Sequence, residues 1–164
     1  MRPGIEQTLL AKINELTTAT ERLQQWHKEG QTVVFTNGVF DVLHVGHITY
    51  LSKAAELGDK LVIGINADES VKGIKGDGRP FNDQHSRALL LASLFFVDAV
   101  VMFNDSTPLN LIRTLLPDIL VKGADYTIEN IVGAKEVIAN GGAVKTIDFV
   151  DGFSSTAIIN KMRG

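Results

Sequence analysis

The sequence predicts an α/β protein built on a doubly wound parallel sheet. Short apolar runs rich in β-branched residues, clearest at 32–36 and 60–66, alternate with stretches whose apolar residues recur at helical spacing. Strands that alternate with helices form parallel sheets covered by helices on both faces, which explains why residues 60–66 are almost entirely apolar. At 164 residues and 45% hydrophobic content, the chain is large enough for one domain with a full core.

Five strands and five helices follow from this alternation in chain order. We expect strands near 32–36, 60–66, 97–103, 119–122 and 143–148. We expect helices near 48–57, 82–94, 107–115, 128–139 and from 154 onward, capped by Asn82, by Thr107 and by Ser154 or Ser155. The polar, glycine-rich residues 67–81 are expected to form a long loop, and loops of that length are usually functional.

Residues 1–30 are expected to form a helical lead-in that packs on a domain of residues 31–164. Apolar residues recur at helical spacing over 9–16, and Thr20 is placed to cap a second helix that ends near Gly30. We expect this lead-in to serve packing or dimer contacts, because it contains no motif with recognisable chemistry.

Composition limits the classes of function. Sixteen basic and 19 acidic residues give a formal net charge of −3, which argues against a nucleic-acid partner. The absence of cysteine excludes disulfides and thiolate metal sites and fits a cytoplasmic protein. The longest apolar stretch, 88–103, is interrupted by Ser93 and Asp98 and is too short to span a bilayer, so we expect no membrane association.

The first predicted strand runs into the following helix through a glycine-containing turn with two histidines. Ligands bind at such strand-to-helix crossings, and the free N–H groups of a helix N-terminus attract phosphate. His47 at the helix start and His44 before it could both donate hydrogen bonds to a phosphate oxygen. A zinc site is the competing interpretation, but His27 and His85 lack the spacing of further ligands.

The pattern Gly38-x-Phe-Asp41-x-x-His44-x-Gly46-His47 resembles the HxGH signature of the nucleotidyltransferase α/β superfamily. Within that superfamily the chain resembles the adenylyltransferases that make ADP-heptose for lipopolysaccharide precursors. The further stretches that carry this resemblance are 35–38, 75–80, 120–126, 139–142 and 152–156. The resemblance implies a Rossmann-like, five-stranded sheet of order 3-2-1-4-5.

The reaction that the resemblance implies is transfer of AMP from ATP to D-glycero-β-D-manno-heptose 1-phosphate, with Mg²⁺, releasing pyrophosphate. The alternative is a cytidylyltransferase that uses CTP and glycerol 3-phosphate. Glycerol-phosphate cytidylyltransferases carry an arginine where this chain has Phe149, which weakens that alternative. A nucleotide-binding regulator without activity is a third possibility, although both histidines and the closing Ser/Thr motif are intact.

The resemblance also assigns roles to residues. The expected catalytic residues are His44, His47 and Lys75. The nucleotide is expected to contact Thr36, Asn37, Gly38, Phe40, His44, Gly46, His47, Lys122, Gly123, Asp125, Ser154, Ser155 and Thr156. The sugar phosphate is expected to contact Asp41, Lys72, Lys75, Arg79 and Arg87, and Asp41 is expected to hold Mg²⁺ directly or through water.

Several of these residues have a structural alternative. Lys72, Lys75 and Arg79 could form a solvated basic loop, Arg87 could form an ion pair on a helix surface, and Asp41 could stabilise a turn. Relatives of this kind are commonly dimers and are often fused to a sugar kinase. We therefore expect a homodimer, and a separate kinase that supplies the sugar 1-phosphate.

Overall fold

The computed structural model describes residues 4–164, and it shows one parallel sheet with helices on both faces. The first three residues of the expected lead-in lie outside the described part. Within residues 4–164 the strands are β1 (Ile13–Asn14), β2 (Val33–Gly38), β3 (Lys60–Asn66), β4 (Ala99–Phe103), β5 (Ile119–Gly123) and β6 (Ala143–Ile147). They pair in the order β1-β4-β3-β2-β5-β6, and every pair is parallel.

The helices connect these strands across the two faces. They are α1 (Ile5–Leu10), α2 (Leu16–Lys28), α3 (Val45–Ala55), α4 (Asp68–Lys75), α5 (Gln84–Ala92), α6 (Leu109–Leu115), α7 (Ala134–Ala139) and α8 (Ser155–Arg163), with a 3₁₀ turn at Ile128–Asn130. No helix within the described range combines the length and the apolar character needed to cross a bilayer.

The predicted fold class is confirmed, and β2 to β6 have the expected order. The sheet has one more strand than predicted, because Ile13 and Asn14 pair with Val100 and Val101 at its edge. The helix expected over 9–16 is therefore wrong at that point: the sheet edge offers backbone partners that override the helical spacing. The division into residues 1–30 and 31–164 stays a prediction.

Alternating residues of the central strand reach two separate cores. Val33 and Phe35 belong to the cluster under α2, α6 and α7, whereas Val34 belongs to the cluster under α3 and α5. All three side chains are fully buried. A strand covered on both faces must be apolar at consecutive positions, as the sequence pattern indicated.

Two connections differ from the prediction. Residues 67–81 are not all loop, because α4 occupies their first half, with Asp68 at its start and Lys75 in its last turn. Acidic residues at a helix start and basic residues at its end stabilise it through its dipole. The following helix, α5, is capped by Asp83 rather than Asn82, since the Asp83 side chain accepts hydrogen bonds from the N–H groups of residues 85 and 86.

The helix expected over 128–139 is divided by Gly133. This glycine has a φ of +86°, and a Cβ there would lie 2.7 Å from Ile112. A left-handed residue ends regular α-helix geometry, so a 3₁₀ turn precedes it and α7 follows it. Strand β2 lies between β3 and β5, where the chain changes direction across the sheet, and the carboxyl edge at this point is where ligands bind.

Candidate active site

The turn after β2 places both histidines at the start of α3. Phe40 has a φ of +48°, and its ring lies so close to Gly38 that a Cβ there would approach it to 2.9 Å. His44 is the N-cap residue of α3 in extended conformation, and His47 lies in the first helical turn. The edge of Phe40 packs on His47 with ring centroids 5.3 Å apart. This packing fixes the histidine at the carboxyl edge of the sheet.

The two imidazole rings stack on each other. Their centroids are 3.8 Å apart with an interplanar angle of 24°, and Nδ1 of each ring is buried without a hydrogen-bond partner in the described chain. Burial, and secondarily the neighbouring His44, lowers the pKa of His47 to about 4, and burial also lowers the pKa of His44. Both rings are therefore neutral near pH 7. Because unpartnered buried polar atoms are costly, the pair is suited to a polar ligand.

A cavity of about 630 Å³ opens in front of these rings. We call it the histidine cavity. Eight of the predicted site residues line it: His44, Gly46, His47, Lys75, Asp125, Ser154, Ser155 and Thr156. Its volume falls in the range of small-molecule sites. The structure thus brings together residues from α3, α4, the segment after β5 and the start of α8.

Aromatic residues complete the histidine cavity, and the prediction did not include them. Tyr50, Phe149 and Phe153 line it, and Phe149 and Phe153 are 56% and 48% exposed. The Phe149 ring lies directly over Gly123, where it would collide with any Cβ. An aromatic residue on each side of the Asp-Gly turn at 151–152, directly after the last strand, was a visible signal for a planar ligand.

The N-terminus of α8 is tied to the turn that carries the histidines. Ser154 accepts a hydrogen bond from the N–H of Ala157 at 3.0 Å, which caps the helix. Ser155 donates its hydroxyl to the carbonyl of Val42 at 3.1 Å. Thr156 makes no side-chain hydrogen bond within the described chain and lines the cavity. The N-termini of α3 and α8 therefore border one space, which suits phosphate.

A second cavity, of about 210 Å³, lies at the carboxyl ends of β2, β3 and β5. We call it the Lys122 cavity, and its lining includes Asn37, Asn66, Thr107, Lys122 and Tyr126. Lys122 lies 3.5 Å from the carbonyl of Asn37, and burial lowers its pKa to about 8. The side-chain oxygen of Asn37 is buried without a partner in the described chain. Asn37 and Lys122, both predicted nucleotide contacts, thus line a different cavity from the histidines.

Asp41 does not have the arrangement expected of a substrate or metal ligand. It is 2% exposed, and its carboxylate accepts hydrogen bonds from Arg79 Nε at 2.6 Å and from the N–H groups of Phe81 and Asn82 at 2.9 Å. Burial alone would raise the pKa of Asp41, but hydrogen bonds from Asn82, Phe81 and Arg79 lower it. Both oxygens are therefore occupied, which argues against the predicted Mg²⁺ role.

Arg87 is likewise internal rather than substrate-facing. Its side chain is fully buried, and it donates to the carbonyls of Val39 and Asn82 at 2.8 and 3.0 Å and to Asp68 at 2.7 Å. These contacts join the turn after β2, the loop before α5 and the start of α4. Every guanidinium nitrogen is used within the protein, so these contacts favour a structural role, and the substrate contact of Arg87 stays a prediction.

The remaining predicted residues lie around the cavities. Lys72 is exposed and pairs with Glu69 at 2.6 Å, and Arg79 lines a third cavity beside Lys75. The Thr36 hydroxyl is buried and lies 2.8 Å from the Tyr50 hydroxyl. Gly38 and Gly123 leave room for the rings of Phe40 and Phe149, respectively.

A resident metal ion does not fit the described residues. No group of three or more His, Cys, Asp or Glu side chains within residues 4–164 is placed to share an ion. Asp41, the predicted ligand, is saturated by N–H donors.

Two helix N-termini and a pair of histidines lie at the carboxyl edge of the parallel sheet. This arrangement is typical of proteins that bind nucleotides and act on their phosphate groups. The family model for cytidylyltransferase-like proteins matches residues 35–161. The chain belongs to this family, and the enzyme class that the family indicates is nucleotidyltransferase. The predicted family resemblance is confirmed.

Individual relatives agree with this assignment. The bifunctional protein HldE of Campylobacter fetus subsp. fetus (strain 82-40) is 58% identical over 144 residues, which are 88% of this chain and 31% of that protein. Bifunctional protein HldE of Mesorhizobium japonicum is 53% identical over 92% of this chain and 30% of its own length. The chain thus spans about a third of the length of these relatives.

Solved structures show the same fold. A lipopolysaccharide core biosynthesis protein from Thermoplasma volcanium GSS1 is 30% identical with a TM-score of 0.57, covering 74% of this chain and 98% of that one. Pantoate-beta-alanine ligase from Francisella tularensis has a TM-score of 0.60 at 13% identity, covering 92% of this chain and 76% of that one. The second likeness shows the fold alone.

Proposed function

We propose that the protein is an adenylyltransferase that joins ATP and a sugar 1-phosphate, namely D-glycero-β-D-manno-heptose 1-phosphate, to give ADP-heptose and pyrophosphate. The observation that carries this proposal is the histidine cavity. Two neutral, stacked imidazoles with unpartnered nitrogens lie there beside Lys75 and the N-termini of α3 and α8. The adenylyl and heptose assignments rest on the motif resemblance, and the names of the relatives are consistent with them.

The chemistry requires positioning and charge stabilisation rather than a base. An oxygen of the sugar phosphate attacks the α-phosphorus of ATP, the bond between that phosphorus and the bridging oxygen to the β-phosphorus breaks, and pyrophosphate leaves with the electron pair. The attacking phosphate is already ionised, so no proton has to be removed. His44 and His47 donate hydrogen bonds to the phosphate oxygens as charge builds, and Lys75 adds a positive charge.

The sugar phosphate is assigned to the Lys122 cavity. That cavity offers hydroxyl and amide groups from Asn37, Asn66 and Thr107 for sugar hydroxyls, and the buried amine of Lys122 for the phosphate. The buried amine of Lys122 lies 3.5 Å from the carbonyl of Asn37 and 5.7 Å from the centroid of the Tyr126 ring. Neither group carries a full negative charge, so an anion in contact with the amine would offset the cost of burying it. Lys122 was predicted to contact the nucleotide, and it is proposed instead to bind the phosphate of the sugar substrate.

The nucleoside is assigned to the end of the histidine cavity that Asp125 and Phe149 line. A half-exposed aromatic ring offers a stacking surface for adenine, and a carboxylate accepts hydrogen bonds from ribose hydroxyls. Mg²⁺ is proposed to arrive with ATP on the phosphates, as it commonly does in sites with few protein ligands. A cytoplasmic location, a homodimer and an upstream sugar kinase stay predictions.

Pyrophosphate release with Mg²⁺ tests the function. ATP and CTP are each combined with heptose 1-phosphate and with glycerol 3-phosphate in a matrix of four reactions. We expect release only with ATP and heptose 1-phosphate. Release with CTP and glycerol 3-phosphate would replace the substrates and keep the histidine roles, whereas nucleotide binding without release in any combination would indicate a regulator.

A further inference from the structure

The floor of the Lys122 cavity is formed by side chains on one face of the sheet. Asn37 on β2 pairs in register with Gly64 on β3, and Asn66 lies two residues further along β3. Residues two apart on a strand point to the same face, so both asparagines lie on the face where Gly64 has no side chain. A Cβ at Gly64 would lie 3.3 Å from the Cβ of Asn37 and 2.9 Å from Leu111, so any larger residue there would crowd this floor.

The amide group of Asn66 is held in one orientation by two successive hydrogen bonds. Asn66 is 5% exposed, and its Nδ2 donates to the hydroxyl oxygen of Ser70 at 3.0 Å. Ser70 is also buried, and its hydroxyl donates to the carbonyl of Asp105 at 3.2 Å. A hydroxyl has one hydrogen, which here goes to Asp105, so Ser70 can only accept from Asn66. The amide nitrogen therefore faces Ser70, and Oδ1 is the end that is left for another partner.

Two carboxamide oxygens at this edge of the sheet have no hydrogen-bond donor within the described chain. Asn66 Oδ1 accepts no hydrogen bond from residues 4–164, and Asn37 Oδ1 is buried without a partner there. Both residues line the Lys122 cavity. An amide oxygen accepts hydrogen bonds and cannot donate them, so hydroxyl groups satisfy it and ionised phosphate oxygens do not. The two oxygens are therefore suited to a ligand that carries hydroxyl groups.

The positive charge of the cavity lies apart from these oxygens, on β5. No Asp or Glu among residues 4–164 lies within ion-pair distance of the Lys122 amine. The cavity of about 210 Å³ thus offers a cation for a phosphate and two acceptors for hydroxyl groups. This division matches a small phosphorylated sugar, in which the charge and the hydroxyl groups are also separate.

We propose that Asn66 is a specificity-determining residue, which selects the sugar phosphate by accepting a hydrogen bond from one of its hydroxyl groups, with Asn37 as a second acceptor. Ser70 is a positioning residue, since it fixes the direction of the Asn66 amide and touches no substrate. This role rests on the function proposed above and deepens it, because the asparagines recognise the sugar and Lys122 its phosphate. A site built to bind a hydroxyl rejects an analogue without it, since the acceptor is then left unpaired.

Calorimetric titration of the whole chain with heptose 1-phosphate, and separately with inorganic phosphate, tests this role. A non-hydrolysable ATP analogue is present throughout to occupy the nucleotide site. We expect Asn66→Ala to weaken heptose 1-phosphate binding about tenfold, the size of one lost hydrogen bond, and to leave phosphate binding unchanged. Lys122→Gln should weaken both. The matched control is Asn110→Ala, which changes an exposed asparagine of α6 outside the cavity and should alter neither affinity.

The role of Ser70 is tested by steady-state kinetics of two variants. Ser70→Ala leaves the Asn66 amide free to rotate, so it should raise the KM for heptose 1-phosphate severalfold and leave kcat and the KM for ATP unchanged. Ser70→Thr keeps the hydroxyl and should keep both KM values near normal. A defect that is merely structural would change both KM values together, which would contradict the positioning role.

Monodeoxy analogues of heptose 1-phosphate test the same contact in the unmodified protein, whether or not a variant folds. We expect one analogue to bind at least about tenfold more weakly than the parent, and Asn66→Ala to bind these two ligands equally. Full affinity for every analogue, or no binding of heptose 1-phosphate by the unmodified protein, would overturn the role of Asn66.

The outcomes also separate this role from the reaction itself. Equal weakening of heptose 1-phosphate and inorganic phosphate in Asn66→Ala, or unchanged affinity for both, would overturn the specificity role. Asn66-dependent binding of heptose 1-phosphate without pyrophosphate release would refute the proposed reaction and support the role. Turnover of heptose 1-phosphate by Asn66→Ala with an unchanged KM would refute the role and leave the reaction standing.

Discussion

Two walls of the candidate active site differ in how firmly hydrogen bonds and burial hold them in place. One wall is the turn after β2 together with the loop before α5, joined by the contacts of Asp41 and Arg87; we call these contacts the Asp41 clasp. The other wall is the closing loop, residues 148–153 between β6 and Ser154. Asp41 and Arg87 are buried and fully hydrogen-bonded, whereas Phe149 and Phe153 on the closing loop are about half exposed.

The closing loop makes few polar contacts of its own. Within the described chain, residues 148–153 make no side-chain hydrogen bond, and the next tie to the protein is the bond from Ser155 to Val42. Few hydrogen bonds and exposed backbone mark the parts of a protein that open at low cost. The two histidines therefore lie on a wall that hydrogen bonds hold in place, while the aromatic residues proposed for nucleoside binding lie on a wall that can adjust.

The largest effect is expected at the two histidines of the fixed wall. His44→Ala and His47→Ala should each lower turnover about 10²-fold or more, because each removes a donor to the charge that develops on phosphate. Steady-state pyrophosphate release measures this loss, and thermal unfolding checks that each variant is folded. His85→Ala, outside the three site cavities, is the control and should retain normal turnover; normal turnover in both site variants would refute the mechanism.

The Asp41 clasp should contribute strongly to the free energy of unfolding. Arg87→Ala leaves two carbonyls and a carboxylate without their partner, and we expect it to lower the free energy of unfolding by about 3–5 kcal/mol. Arg113→Ala removes an arginine that pairs with Glu136 at the surface and should cost less than about 1 kcal/mol. Urea unfolding compares the two, and equal costs would show that the clasp is not a structural element.

The use of the sugar phosphate should depend on pH through the charge of Lys122. Burial lowers its pKa to about 8, so its positive charge is present below pH 8 and is lost as the pH rises. We expect kcat/KM for the sugar phosphate to fall about tenfold per pH unit above that value, with kcat/KM for ATP less affected. Lys122→Arg keeps the charge and should remove this decline; an unchanged decline in that variant would assign the titration to another group.

The smallest effect on stability is expected at Gly123, which the Phe149 ring of the closing loop covers. In Gly123→Ala the new methyl displaces the half-exposed Phe149 ring, so stability should fall by only about 0.5 kcal/mol while the KM for ATP rises severalfold. In Gly58→Ala the methyl would lie 2.8 Å from the backbone oxygen of Thr32, which cannot move aside, and we expect a cost of about 1–3 kcal/mol. Unfolding and steady-state kinetics together test this contrast.

The sequence predicted the fold class because buried strands and amphipathic helices each leave a periodic signal. Strand β1 was not predicted because two residues are too few to show a periodic pattern. The pairing of Ile13 with Val100 also depends on a strand that is distant in the sequence. The helix at 68–75 could have been found, since Asp68 and Lys75 occupy the ends that the helix dipole favours.

At the site, the placement of the histidines followed from the strand-to-helix turn, which is local. The internal role of Arg87 could not be predicted, because its three acceptors lie on segments that only the folded sheet brings together. The same holds for Arg163, which meets Phe81 across more than 80 residues of chain. Local geometry is encoded in neighbouring residues, whereas a side chain's partners depend on the tertiary fold.

The most direct test of adenylyl transfer is to follow the label from ATP carrying one labelled phosphate, with heptose 1-phosphate as the second substrate. If the bond between the α- and β-phosphates breaks, a label at the α-phosphate appears in the sugar nucleotide and a label at the γ-phosphate appears in pyrophosphate, in equal amounts. A γ-label found on the sugar, with ADP as the second product, would show kinase chemistry and contradict the account.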